Sequence, residues 1–209
     1  MVAYRFNRHD MRSADHFAAS VRRGEALGYA VAWIPSSALL VQDPYVLLSQ
    51  AARPTSHIRF GPMIENPVTR HPAVIAGSIS TLNQIAGGRA ELALGVGDTA
   101  VRTLGMRPAS VDNLRSATML IQQLLAGDRV DFGGQSSRLR HAGTVPVWIA
   151  AGGPRTLFMA GAVADGVIIR VGTHRQNIDR AIDLVRQGAT AAGRQFADIR
   201  IAAVFHTVL

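Results

Sequence analysis

The 209-residue chain contains no cysteine and no lysine. Without cysteine it has neither a disulfide framework nor a thiolate metal site, which excludes the small disulfide-stapled secreted domains. No apolar run approaches the ~18 residues needed to span a bilayer. The N-terminal segment MVAYRFNRHD becomes polar too early for a signal peptide. These absences predict a soluble, cytoplasmic protein that does not enter a membrane.

Positive charge is carried by arginine alone, and the formal net charge is +8. Proteins that bind nucleic acid concentrate their basic residues on one face or along one helix. Here the arginines are scattered along the chain, as at Arg5, Arg59, Arg102, Arg155 and Arg200. We therefore expect no nucleic-acid partner, and an anionic small ligand fits the charge better.

Short apolar segments alternate with amphipathic segments along nearly the whole chain. The apolar runs are continuous, as in strands of a parallel sheet buried on both faces. The predicted strands are 3–7, 30–34, 58–64, 90–96, 145–150, 166–171 and 199–206. The predicted helices are 14–27, 44–52, 72–86, 111–126, 154–164 and 174–192. This alternation predicts a single α/β domain over residues 1–209, built as a doubly wound sheet or a (β/α) barrel.

Local signals support several of these elements. The helix after the fourth strand follows Ser110 and stops at Gly127, and the last helix starts with a T-x-x-Q capping box. That box would join Thr173 to Gln176. Residues 129–141 interrupt the alternation and predict a small hairpin that turns at Gly133-Gly134.

The length bears on closure of a barrel. An eight-unit (β/α) barrel usually takes about 250 residues, so this chain is short by roughly one unit. Either the barrel is incomplete, with about seven units, or a partner subunit, a rearrangement or further chain closes it. An unpaired strand at an open edge favours association. We therefore expect a homodimer or a higher homo-oligomer.

In both architectures the functional residues lie in loops that follow the carboxyl ends of the strands. The loop AAGGPRT is the clearest example. Gly152 and Gly153 allow the backbone to approach a ligand, and Pro154 begins a helix whose free N–H groups attract anions. Arg155 and Thr156 would add direct contacts to a phosphate. The alternative is an ordinary strand-to-helix turn with a surface arginine.

Other loops carry weaker signals. LGVGDTA formally fits the dinucleotide fingerprint, but it follows the fourth strand and no helix is expected directly after it, so we reject that interpretation. Asp98 is a candidate acid or base, or else a turn residue. Arg70 and His71 precede Pro72, where at least one of them is expected to cap a helix. The histidines show no metal-ligand spacing, so we expect no metal site.

Three quoted segments carry a family resemblance. They are DPYVLLSQAARPTSHIRFG (43–61), NPVTRHPAVIAGSISTLNQIAGGRAELALGVGDTAVRTLG (66–105) and VPVWIAAGGPRTLFMAGAVADGVII (145–169). In order and spacing they closely resemble the luciferase-like flavin- and deazaflavin-dependent oxidoreductases. That family includes bacterial luciferase and the methylenetetrahydromethanopterin reductases, and the second segment is most similar to the reductases.

The resemblance implies a TIM-type (β/α)8 barrel that binds coenzyme F420, a deazaflavin, or FMN at the strand carboxyl ends. It implies a non-prolyl cis peptide at Met63–Ile64, against the cofactor ring. It also implies oxidoreductase chemistry, by hydride transfer or monooxygenation, on a small organic substrate. The implied catalytic residues are Asp98, Glu65 and His71. The implied cofactor-binding residues are Met63, Ile64, Asn66, Gly97, Asp98, Ala151, Gly152, Gly153, Arg155 and Thr156.

Two departures from the family pattern leave alternatives open. Relatives usually carry an acidic residue or histidine after the second strand, where this chain has Ser36, Ser37 and Ala38. Ser36 and Ser37 are then candidate substrate contacts, and Glu65 is a candidate replacement acid. The last β/α unit is also missing. A non-catalytic flavin-binding or scaffold relative, and a truncated piece of a longer enzyme, therefore remain alternatives to an active oxidoreductase.

Overall fold

The computed structural model describes residues 13–204 in full and residues 3–5 as backbone. The described strands are β1 (Ala3–Arg5), β2 (Val31–Ile34), β3 (Arg59–Pro62), β4 (Leu92–Leu94), β5 (Val130–Phe132), β6 (Gln135–Ser137), β7 (Val147–Ala151), β8 (Gly166–Ile169) and β9 (Arg200–Ala203). The described α-helices are α1 (Ala14–Ala26), α2 (Pro44–Ala52), α3 (Pro72–Ile85), α4 (Thr99–Arg102), α5 (Val111–Ala126), α6 (Pro154–Val163) and α7 (Arg175–Ala191), and a 3-10 helix covers Phe196–Asp198. None of these helices is both long enough and apolar enough to cross a bilayer.

Seven of the described strands are parallel and follow one another in chain order. β1, β2 and β3 form one ladder, and β4, β7, β8 and β9 form another. Parallel bridges at Phe60–Ala90 and Glu65–Leu94 join β3 to β4. A doubly wound sheet would reverse its strand order at a switch point, so the sequential order identifies a (β/α) barrel. Within residues 3–5 and 13–204 no ladder joins β9 to β1, and the barrel is incomplete, as predicted.

Apolar side chains pack on both faces of this curved sheet. The larger cluster lies between the strands and the helices and includes Phe60, Leu92 and Ile149. A smaller cluster fills the barrel interior, where Trp33 and Trp148 meet edge to face at 6.1 Å between ring centroids. A methyl group on Gly166 would lie 2.3 Å from the Trp148 ring, so a glycine is required beside that indole. The sheet therefore separates two apolar layers, as its continuous apolar strands predicted.

Most local predictions are confirmed. Ser110 Oγ accepts the N–H of Asn113 at 3.0 Å, and Gly127 ends α5 with a φ of +87°. The hairpin of β5 and β6 turns at Gly133 and Gly134, which have φ of +66° and +92°. Positive φ favours glycine at such positions, and this explains why the glycine pair located the turn.

The capping box predicted at the start of the last helix is wrong. α7 begins at Arg175, and its N-cap is His174, which makes no side-chain capping bond. The backbone oxygen of His174 accepts the N–H groups of Asn177 and Ile178. Thr173 therefore lies one residue before the cap position, where its hydroxyl cannot perform the predicted role.

A buried acid lies inside the amino-terminal end of the barrel. Glu91, just before β4, is fully buried and pairs with Arg59 at 2.7 Å and with Arg200 at 3.1 Å. The Arg200 guanidinium stacks 4.6 Å above the Trp148 ring. Burial raises the pKa of Glu91, and the two arginines oppose that rise. This cluster lies at the amino-terminal end of the barrel, opposite to the carboxyl end where the site is predicted.

Candidate functional site

Glu65 lies where the chain leaves β3 at the carboxyl end of the sheet. Its backbone N–H donates to Ala93 at 2.8 Å, and its carbonyl accepts the N–H of Gly95 at 3.0 Å. These two bonds hold it against β4. Its side chain is only 1% exposed. A titratable group is thus fixed in a buried position on the edge of the sheet where α/β enzymes bind their ligands.

Three neighbours contact the Glu65 carboxylate. The Ser36 hydroxyl donates to Oε2 at 3.1 Å, and the Asn66 backbone N–H donates to Oε1 at 3.1 Å. Arg70 Nε lies 3.7 Å from Oε2, which is ion-pair range without a hydrogen bond. Burial raises the pKa of Glu65, and the Asn66 N–H, Arg70 and Ser36 only partly offset it. The carboxyl therefore holds a proton to higher pH than an exposed glutamate, which suits a general acid or base.

Arg70 is fixed by α2 rather than by Glu65. Its Nη2 donates to Asp43 Oδ2 at 2.7 Å, and its guanidinium carbon lies 4.9 Å from the centre of the Tyr45 ring. Asp43 is itself held because its other oxygen, Oδ1, caps α2 by accepting the N–H groups of Tyr45 and Val46. Neither Asp43 nor Tyr45 is recognisable as a site residue from the sequence, because 27 residues separate Asp43 from Arg70 and no local pattern joins them.

The Tyr45 hydroxyl is buried and has no hydrogen-bond partner among the described residues. Burial raises the pKa of Tyr45, and the nearby Glu65 carboxylate raises it further. The phenol therefore stays protonated at neutral pH. It remains a hydrogen-bond donor next to the buried acid.

The side-chain amide of Asn66 forms hydrogen bonds through its oxygen but not through its nitrogen among the described residues. Its Oδ1 accepts the backbone N–H groups of Val68 and Thr69 and the Thr69 hydroxyl, at 2.9 to 3.1 Å. Its Nδ2 is buried and unpaired among the described residues. Such unpaired buried donors are rare in folded proteins. The free end of this amide is therefore available to a ligand.

Two glycines allow the chain to pack closely around Asn66 and the end of β3. Gly97 has a φ of +80°, and a side chain there would collide with Val101 and crowd Asn66 at 3.3 Å. A methyl group on Gly95 would lie 2.8 Å from the Ile64 side chain. The Met63–Ile64 peptide bond is cis, which confirms the prediction from the family resemblance.

The predicted phosphate loop follows β7. Ala151 is buried at the end of that strand, and Gly153 is the N-cap of α6. No side chain caps the N–H groups of the first turn, because glycine has none to offer. Arg155 is exposed, and Thr156 is half-buried. A methyl group on Gly152 would lie 2.7 Å from the backbone oxygen of Arg170. A cleft of about 360 Å³ adjoins the loop, lined in part by Gly152 and Pro154.

Asp98 and His71 are placed differently from Glu65. Asp98 is exposed and pairs with Arg102 at 2.7 Å. His71 is the N-cap of α3, and its Nδ1 accepts the Ala73 N–H at 3.2 Å, which confirms the capping alternative for this residue. In the part of the chain that the structure describes, neither bonds to Glu65. Their catalytic roles stay predictions.

Two further loop residues can be placed. Ser37 turns the chain after β2, since its carbonyl accepts the N–H groups of Leu40 and Val41. α4 begins directly after Asp98, so the expectation that no helix follows the LGVGDTA loop is wrong. The fourth-strand position of that loop still sets it apart from a dinucleotide fingerprint.

Comparison with known proteins identifies the family. Residues 3–209 match the family described as luciferase-like monooxygenases. The chain belongs to this family. Ser36, Glu65, Asn66 and the 152–156 loop therefore lie at the strand carboxyl ends of a luciferase-like barrel.

Several curated relatives are similar to this chain. A 5,10-methylenetetrahydromethanopterin reductase of Methanolobus tindarius is 34% identical over 171 residues, covering 78% of this chain and 52% of the relative. An F420-dependent glucose-6-phosphate dehydrogenase of Mycolicibacterium fortuitum is 32% identical over 202 residues, covering 89% and 56%. The luciferase-like chain described here thus spans about half the length of the curated relatives it matches.

Solved structures confirm the fold of this luciferase-like chain. The coenzyme F420-dependent tetrahydromethanopterin reductase of Methanopyrus kandleri superposes with a TM-score of 0.84 and 26% identity, covering 97% of this chain and 65% of that one. An FMN complex of the oxygenating constituent of 3,6-diketocamphane monooxygenase from Pseudomonas putida gives a TM-score of 0.73 at 18% identity, with 96% of this chain covered. The second similarity supports the fold alone.

Proposed function

We propose that this chain binds coenzyme F420 or FMN at the carboxyl ends of its strands and acts as an oxidoreductase on a small organic substrate. The observation that carries the proposal is the pairing of a buried, unpaired amide donor on Asn66 with a buried acid on Glu65 in one loop. F420 is the favoured cofactor, because the relatives above 30% identity include enzymes named as F420-dependent.

The residues present fit a planar cofactor. Asn66 Nδ2 supplies a donor for a ring carbonyl or ring nitrogen. The Oδ1 atom of the same side chain already accepts hydrogen bonds from the loop. Gly97 packs closely beside this amide, where any larger side chain would crowd Asn66. Met63 and Ile64 would form the wall against the ring, and Ser36 and Ser37 would face the substrate.

The loop after β7 fits the cofactor's phosphate. The first turn of α6 offers free N–H groups, and an anion there is favoured by the helix dipole. The Arg155 guanidinium and the Thr156 hydroxyl would add direct contacts. Ala151, Gly152 and Gly153 would bring the backbone close to the phosphate because none of them carries a large side chain.

The bound cofactor would accept or deliver a hydride, and the protein would provide orientation and a proton. Glu65 is the first candidate to carry that proton, because Ser36 and the Asn66 N–H fix the orientation of its two carboxyl oxygens. Burial of Glu65 keeps water away from the carboxyl. Asp98 and His71 are the second candidates for proton transfer, because they lie in the loops after β4 and β3.

Dialysis of the purified chain against F420 or FMN, followed by visible spectroscopy, tests this proposal. We expect one cofactor to be retained with the protein in a one-to-one ratio. Asn66→Ala should lower retention at least tenfold, since it removes the ring donor, whereas Asn113→Ala on the exposed start of α5 should leave it unchanged. Failure of both cofactors to bind would overturn the proposal. Retention without reduction of the bound cofactor by any donor would support the non-catalytic alternative.

A further inference from the structure

Charged and polar groups from three segments of the chain surround the Glu65 carboxylate. The loop after β2 contributes Ser36, and the loop after β3 contributes the Asn66 N–H and Arg70. Helix α2 contributes Tyr45 together with its cap, Asp43. Among the described residues, Arg70 is the cation of this group and Asp43 its second anion. The balance between these two charges acts on a carboxyl that is almost completely removed from water.

We propose that Arg70 is a positioning residue for Glu65: its guanidinium, held by Asp43 and the Tyr45 ring, decides whether Glu65 carries a proton at the cofactor pocket. This inference deepens the proposed function and rests on it, because the cofactor pocket beside Glu65 is part of that proposal. The charge coupling itself does not depend on a cofactor and can be measured without one.

The geometry separates Arg70 from the other neighbours of Glu65. Ser36 and the Asn66 N–H make directed hydrogen bonds of 3.1 Å, which fix the carboxyl in space. Arg70 Nε lies 3.7 Å from Oε2, so its effect is that of a nearby charge and varies with its distance. That distance is set from α2, because the shorter bond of Arg70, 2.7 Å, goes to Asp43. The start of α2 thereby influences the electrostatic environment of Glu65, which lies in the loop after β3.

The two charges act on Glu65 in opposite directions. The positive charge of Arg70 favours the ionised carboxylate, and the negative charge of Asp43 disfavours it. Arg70→Met should therefore raise the pKa of Glu65. Asp43→Asn should lower that pKa, because it removes the anion and releases the guanidinium toward Glu65. Asparagine still caps a helix, so this second variant preserves the start of α2.

The composition of the chain makes this measurable. The sequence contains three glutamates, Glu25, Glu65 and Glu91. Protein labelled with carbon-13 at the glutamate carboxyl gives three signals, which Glu25→Gln and Glu91→Gln assign. Each signal is then followed by NMR against pH in the cofactor-free protein. The other two glutamates serve as internal controls for global effects of a substitution.

Matched variants test specificity. Arg175→Met and Asp179→Asn remove the members of an exposed ion pair on α7, whose arginine side chain is 92% exposed. We expect Arg70→Met to shift the Glu65 titration to higher pH and Asp43→Asn to shift it to lower pH. Neither α7 variant should move it. Glu25 should titrate as in the unmodified protein in all four variants.

Three results would overturn the inference. These are an unchanged Glu65 titration in both Arg70→Met and Asp43→Asn, shifts of the same sign in the two, or equal shifts in the α7 controls. If Arg70→Met does not fold, the Asp43→Asn variant alone tests the inference: a shift of the Glu65 titration to lower pH supports it, and no shift or a shift to higher pH overturns it. Binding of neither cofactor, with the opposite shifts present, would overturn the proposed function while leaving the charge coupling intact.

Discussion

Glu91 and Arg200 meet at 3.1 Å inside the barrel, although 109 residues separate them in the chain. Arg59 approaches the same carboxylate oxygen from β3 at 2.7 Å. One buried acid thus connects the third, fourth and last described strands of the parallel sheet. No ladder closes the barrel between β9 and β1 in the described residues, so we expect this contact across the interior to stabilise the curved sheet.

Glu91→Gln should destabilise the fold by roughly 2 kcal/mol. Breaking a buried ion pair costs about 3–5 kcal/mol, and the cost is smaller here because both arginines partly reach solvent. Urea denaturation measures the loss. Asp183→Asn, which breaks the exposed Arg186–Asp183 pair, is the matched control and should cost less than about 1 kcal/mol. Equal losses for the two variants would show that the interior contact stabilises the fold no more than an exposed ion pair does.

Glu25 should make stability depend on pH at the acid side. Its Oε1 accepts the N–H groups of Ser56, His57 and Ile58 at 2.6 to 2.9 Å. Burial alone would raise the pKa of Glu25, but these three donors outweigh it and the pKa is lowered. The unfolded chain therefore binds this proton more readily, so the stabilisation is present above the unfolded pKa and lost as pH falls through the folded pKa.

Glu25→Gln should accordingly lower the free energy of unfolding by about 1 kcal/mol at neutral pH, since the charge-assisted bonds are lost. The difference from the unmodified chain should shrink as pH falls below the folded pKa of Glu25. Urea titrations at neutral and acid pH provide the comparison. Two curves that stay parallel over the whole range would contradict the role of the carboxylate.

Two glycines allow α6 and α7 to pack closely. A methyl group on Gly161 would lie 2.0 Å from the backbone oxygen of Val185, and one on Gly188 would lie 1.8 Å from that of Phe158. Because backbone atoms cannot rotate away, Gly161→Ala or Gly188→Ala should cost about 1–3 kcal/mol or more. Gly77→Ala in α3 is the control, since nothing lies within 4 Å of the added methyl group. It should be neutral or stabilise the helix, and thermal denaturation distinguishes these outcomes.

The elements that sequence analysis predicted well are those with local signals. Ser110 and Gly127 bound α5 because the capping hydroxyl and the left-handed C-cap are chemistries of single residues. The capping prediction for Thr173 is wrong because the helix starts one residue later than predicted, with His174 as its N-cap. The sequence pattern alone does not distinguish these two starting positions. The alternation of elements predicted a parallel sheet but left a doubly wound sheet and a barrel open, and the family resemblance favoured the barrel. A single domain and a homodimer stay predictions.

The site was predictable only in part. Glu65 and Asn66 were singled out by their position after the third strand and by the family resemblance. Asp43 and Tyr45 were not, because their contacts with Arg70 depend on how α2 packs beside the next loop. The buried role of Glu91 did have a signal: a lone acid in the apolar run AELAL needs a buried partner. Its partners, Arg59 and Arg200, come from distant strands and carry no such signal.

Fluorescence titration of the chain with F420 and with FMN tests the central claim most directly. The two tryptophans of the sequence, Trp33 and Trp148, both lie in the barrel interior, where a cofactor at the carboxyl ends would quench them. We predict saturable quenching by one cofactor, weakened at least tenfold by Asn66→Ala and unchanged by Asn113→Ala. Quenching that does not saturate with either cofactor, or that is equal in the two variants, would contradict the account.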